Sequence, residues 1–66
     1  MSVAKIIEIS ADSQKSFEDA IRQGIERAGQ TLKNIQSAWI KEQQVMVNDQ
    51  KVAGYRVILK ITFVLN

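Results

Sequence analysis

The stretch Tyr55-Arg56-Val57-Ile58-Leu59-Lys60-Ile61-Thr62-Phe63-Val64-Leu65 decides the fold of this chain. A large apolar side chain stands at every odd position from Tyr55 to Leu65. That strict period of two is the spacing of a strand that buries one face. The even positions are Arg56, Ile58, Lys60, Thr62 and Val64. Ile58 and Val64 are aliphatic, so the second face also asks for cover. A chain of 66 residues has little left to supply it. The expected supplier is another copy of the same chain.

The totals point the same way. Residues 1–66 are read as a single domain. A domain of this size buries only about 60% of the surface that its unfolded chain exposes. Disulfides, a structural metal or oligomerisation usually make up the shortfall. The sequence has no cysteine and no histidine. A disulfide framework and a thiolate metal site are excluded, and the commonest transition-metal ligand is missing. Self-association is the remedy left. Nine basic and seven acidic residues give a net charge of +2. The basic residues are scattered among acids, so no nucleic-acid partner is expected. No secretory leader pattern stands out, and no apolar run approaches the ~20 residues that span a bilayer. A soluble, cytoplasmic protein without a membrane partner is expected.

Upstream of the final strand, Asn48 to Gly54 reads as a connection with turn residues at both ends. Gln36 to Val47 predicts another strand. Its alternation puts Ser37, Trp39, Lys41, Gln43, Val45 and Val47 on one side. Before it, Phe17, Ala20, Ile21, Gly24, Ile25, Ala28 and Leu32 follow the rhythm of one helical face. Ser13 is the expected N-cap, with Asp12 competing, and the helix should finish near Asn34. Glu18 with Arg22 and Arg22 with Glu26 are opposite charges one helical turn apart. Gly24 on the apolar stripe costs about 1 kcal/mol relative to alanine. Close approach of helix to sheet is the expected compensation. Val3 to Ile9 predicts a first strand, ended by the turn-like cluster Ser10-Ala11-Asp12-Ser13. The order β-α-β-β gives an α+β fold: one helix on a three-stranded antiparallel sheet. The helical stripe should cover the odd face of the last strand, and the even face should meet neighbouring subunits.

Little in the sequence is catalytic. The two side chains most used for acid–base and nucleophilic work are absent. No acidic cluster has metal-loop spacing, and Gly24, Gly29 and Gly54 are isolated rather than a phosphate loop. The tautomerases of this length that use an N-terminal proline are excluded, because the chain has no proline. No enzyme is expected. Trp39, the single tryptophan, is either an interface residue or a stacking platform for a planar ligand. A hairpin turning near residues 50 and 51 puts Lys41 to Val45 opposite Arg56. It puts Ser37, Trp39 or Ile40 opposite the far end of the last strand.

The sequence as a whole resembles the dodecins, small β-α-β-β proteins that assemble as hollow dodecamers. The likeness rests on Asp12-Ser13-Gln14-Lys15-Ser16-Phe17-Glu18-Asp19-Ala20-Ile21, on Glu26-Arg27-Ala28 and on Thr31-Leu32-Lys33-Asn34-Ile35. It continues in Gly54-Tyr55-Arg56-Val57 and Ile61-Thr62-Phe63-Val64-Leu65. The resemblance implies a non-catalytic, homododecameric binding and storage protein. Its ligand would be a flavin (riboflavin or FMN) or another planar cofactor at subunit interfaces. Ser37, Trp39 and Arg56 are the implied cofactor-binding residues. Flavin-binding dodecins carry a stacking tryptophan where this chain has Ser37, and a flavin-bonding glutamine where it has Arg56. Trp39 lies on the same strand face as Ser37, about 7 Å further along. The alternative is an assembly that has lost flavin binding and has a structural or ion-binding role. Some dodecins bind coenzyme A, which would look to Arg56, Lys41 and Lys60.

Overall fold

A computed structural model describes residues 2–65 of the chain. Strand β1 spans Val3–Ser13, helix α1 Phe17–Ala28, strand β2 Ile35–Asn48 and strand β3 Lys51–Leu65. The sheet is antiparallel in the order β1-β3-β2, so the strand with the strictest alternation is the central one. Helix α1 lies over β1 and β3.

The core forms where the helical stripe meets the odd face of β3. Val57, Leu59 and Ile61 are buried there with Ala20 and Ala28. Ile7, Ile9, Ala11, Phe17, Ile21, Ile25, Leu32 and Ile35 close around them. Each aliphatic side chain so buried contributes about 1.5–3 kcal/mol. Gly24 has the role its position implied. A Cβ there would stand 3.1 Å from the Ala11 Cβ and 3.2 Å from the Leu59 Cδ1. Phe17 and Tyr55 meet edge to face, with ring centroids 5.1 Å apart.

Three boundaries differ from the sequence reading. First, the cluster Ser10 to Ser13 is strand, paired with Ile58 to Tyr55. Ala11 and Ser13 alternate onto the helix side, and the ladder to β3 outweighs the local turn preference of Ser and Asp. The helix therefore starts later, with Ser16 as N-cap, its Oγ accepting from the Asp19 N–H at 2.9 Å. Ser13 becomes a brace instead: its Oγ accepts from the Lys15 N–H and donates to Asp19 Oδ2. Second, the helix stops at Ala28 rather than near Asn34. A turn bonded by the Leu32 N–H to the Ala28 carbonyl follows, and Asn34 takes a left-handed φ of 63°. Leu32 still reaches the core.

Third, the expected connection from Asn48 to Gly54 shrinks to two residues. Asp49 and Gln50 have φ of 53° and 65°, the primed-turn geometry that joins twisted strands most tightly. Lys51 to Gly54 therefore belong to β3. The pairing places Gln44 opposite Arg56 and Ser37 opposite Thr62, as the expected hairpin requires.

Strand β2 also carries irregularities that a plain alternation misses. The register breaks between Ile40 and Glu42, so Lys41 is an extra residue. Ile40 stands opposite Leu59, yet Gln43 stands opposite Val57. Opposed residues in a ladder share a face. Ala38, Ile40, Gln43 and Val45 therefore share the helix side, and Ser37, Trp39, Glu42 and Gln44 share the other. The single face expected for Ser37 through Val47 is split at this bulge. The molecule is elongated, 50 × 19 × 13 Å, with a radius of gyration of 13.5 Å. A compact chain of this length would have about 10.8 Å.

Candidate functional site

The sheet face that turns away from α1 collects the polar and aromatic residues the core does not use. Four rungs cross it, each taking one residue from β1, β3 and β2. Ile6, Thr62 and Ser37 form the first, and Glu8, Lys60 and Trp39 the second. Ser10, Ile58 and Glu42 form the third, and Asp12, Arg56 and Gln44 the fourth.

The first two rungs bring Ser37 and Trp39 together on one face. Trp39 is 60% exposed and Ile6 50%. An indole this open, beside a small hydroxyl side chain, fits one face of a planar heterocycle. Arg56 shares the face but not the neighbourhood. Four strand positions separate it from the rung of Trp39, about 13 Å. Within one protomer, Ser37 and Trp39 form one contact set and Arg56 belongs to another.

Two ion pairs cross the same face. Lys41, carried on the bulge, reaches over β3 to place Nζ 2.9 Å from Glu8 Oε1. Arg56 grips Asp12 with two bonds, Nε to Oδ1 at 2.8 Å and Nη2 to Oδ2 at 3.0 Å. The hydrogen bond from Lys41 holds the Glu8 carboxyl below its ordinary range, helped by the charges of Lys41 and Lys60. The bond from Arg56 does the same for Asp12. Both bases are raised in return, first by those hydrogen bonds. Beside the second pair lies a recess of about 440 Å³ lined by Ser10, Glu42, Gln43, Gln44, Arg56 and Ile58. Arg56 and Lys41 thus spend charge on partners within the chain, which weakens both as anchors for the phosphates of a coenzyme A.

Sequence reasoning missed Asp12 because a turn was expected where β1 continues, and Glu8, inside the expected first strand, because nothing local set its neighbours across the sheet. Their opposite charges to Arg56 and Lys41 were the available signal, but only a register could connect them. Among the described residues, no group of three or more acidic side chains gathers as a metal site. Nor is any helix there long and apolar enough to cross a membrane.

Comparison with known proteins places this geometry. The dodecin family model matches residues 3–66. The chain belongs to the dodecin family. It is similar to the calcium dodecin of Mycobacterium tuberculosis, 33% identical over 63 residues, covering 96% of this chain and 89% of that protein. The crystal structure of that calcium-chelating dodecin, described with a calcium-binding site, superposes with a TM-score of 0.85 at 31% identity. It covers 98% of this chain and 93% of that one. A dodecin from Streptomyces davaonensis superposes with a TM-score of 0.93 at 32% identity, covering 98% of this chain and 96% of that one. A dodecin from Streptomyces coelicolor reaches 0.94 at 26% identity, covering 98% and 93%. The β-α-β-β order and the antiparallel sheet under one helix are those of the dodecin structures.

Proposed function

We propose that this dodecin is the subunit of a homododecamer that binds and stores a small planar cofactor of the flavin class where subunits meet. The reading rests on one observation above all: Trp39 stands 60% exposed on the face that no helix covers. A lone tryptophan left open on a pleated surface gives a ring a partner to stack on. Ser37 beside it leaves the room that a bulky side chain would take. The protein's part is to hold the ring and exclude water. Arg56, fixed by Asp12, presents a neutralised pair to whatever approaches the far end of the face.

Titration of purified protein into riboflavin or FMN tests this reading. Flavin fluorescence should be quenched on binding, and Trp39→Ala should weaken binding about tenfold, the scale of one aromatic stack. Absence of quenching with both flavins would overturn the cofactor. Light scattering should give about 90 kDa for twelve chains of 7.5 kDa. A monomer at micromolar concentration would overturn the assembly.

The calcium-binding relative favours a second reading, an assembly that takes up ions instead. Calcium needs six to eight oxygen ligands. Glu8 and Asp12 are already paired with Lys41 and Arg56, so such a site would draw acids from several subunits. A calcium-dependent rise in Tm without flavin quenching would select this reading.

A further inference from the structure

The chain exposes 5050 Å² of surface. A compact protein of its mass exposes about 4,250 Å². The excess, about 800 Å², is one partner's share of a standard interface. Its place in the fold is visible. Helix α1 covers β1 and β3 but, beyond Ile35, leaves the same side of β2 open. There Ala38, Ile40, Gln43 and Val45 form a row without a charge, with Ile40 48% and Val45 42% exposed. The bulge turns Lys41 out of that row and toward Glu8 on the opposite face.

The other edge of the sheet has the matching hollow. Between α1 and β1 lies a groove of about 530 Å³, floored by Ile7, Ile9, Ala11, Gly24, Ala28 and Leu32. Gln23, Arg27 and Thr31 stand at its rim. The row and the groove lie on the same side of the sheet, at opposite edges. A second copy set beside the first can therefore lay its β2 row into the first copy's groove while facing the same way. Ile40 and Val45 would enter the apolar floor, and Gln43 between them would meet the polar rim. No cation on the row opposes Arg27.

We propose that the groove between α1 and β1 is the seat of the Ala38–Val45 segment of a neighbouring copy of this chain. This inference rests on the homo-oligomeric reading above and adds which surfaces meet. The contact joins two different surfaces, so it repeats from copy to copy, and a closed assembly requires that the rotation between copies bring the last back to the first. It also covers both free edges of the sheet, the usual route to unwanted association.

The absence of cysteine makes the test direct. A Thr31→Cys, Ile40→Cys double variant is oxidised under mild conditions. Its size is measured by light scattering, and its disulfides are mapped by mass spectrometry after a non-reducing gel. An oligomer whose dimer and higher bands hold 31-to-40 links between chains is the expected result. An oligomer without such links, or joined only through 31-to-31 or 40-to-40, overturns this inference, whatever else fills the groove, and leaves the assembly standing. A monomeric wild-type protein overturns both together. Ile40→Glu gives an independent reading. The side chain is exposed in the protomer, so circular dichroism should stay unchanged while the oligomer dissociates at least tenfold more readily. An Ile40→Glu protein that assembles as tightly as Ile40→Val overturns the proposal.

Discussion

Leu59 and Ile40 face each other across one rung of the ladder between β3 and β2, yet Leu59 is 1% exposed and Ile40 48%. The two residues have similar side chains, share a sheet face and sit in paired strands. The difference is what lies above them. Helix α1 covers Leu59 and stops short of Ile40. One half of the molecule, α1 with β1 and β3, buries Val57, Leu59 and Ile61 beneath its own helix. The other half, β2 with the hairpin end, presents apolar and aromatic side chains that the chain cannot cover. Apolar content alone does not tell a core strand from an interface strand; the reach of the covering element does.

The comparison can be broken most forcefully on the packed side. Leu59→Ala should cost about 2–5 kcal/mol, much of the stability of so small a domain, read from urea unfolding. A cost no larger than that of Ile40→Ala would erase the distinction between the halves. Gly24→Val comes next. Its side chain would press on Ala11 and Leu59 where even a Cβ stands at 3.1–3.2 Å. A loss of about 1–3 kcal/mol is expected, against the helix preference that any residue other than glycine and proline brings.

On the bare side the effects should be smaller or of opposite sign. Gln50→Gly relieves a non-glycine residue at φ 65° and should raise stability by about 1 kcal/mol. Ile40→Ala should change the stability of dissociated protein by no more than about 0.5 kcal/mol, the range of ordinary surface positions. Its larger cost should appear only at concentrations where subunits associate. The smallest effect concerns acid. Glu8 and Asp12 have folded values below their unfolded ones. Their contribution is present above the ordinary carboxylate range and is lost as pH falls through the lowered values. Asp12→Asn should therefore narrow the gap between urea midpoints at neutral pH and in acid. An unchanged gap would show that the Arg56 pair adds nothing to acid stability.

How far the fold and the site could be read in advance follows from the same contrast. The odd positions of β3 and the stripe from Phe17 to Leu32 carried a strong period, and both met in the core. The close approach at Gly24 was readable because glycine on an apolar helical stripe needs a reason. The β1 extension through Ser13 was not readable, since Ser and Asp favour turns until a partner strand supplies a ladder. Lys41 to Gln44, polar throughout, gave no signal for the bulge that reverses the faces of β2. Ser37 and Trp39 were placed on one face correctly because they precede that bulge. The separation of Arg56 from them followed from the register that the two-residue turn imposes.

Amino-acid order by itself settled the element order, the helix stripe, the buried face of the last strand and the lack of cysteine and histidine chemistry. Each depends on local periodicity or on composition, which need no partner. Only the folded arrangement decided which strand lies in the centre, where β2 changes phase and how far the helix reaches. It also decided which carboxylate each base would hold. Those outcomes arise from long-range pairing, in which a single extra residue turns every later side chain to the opposite face.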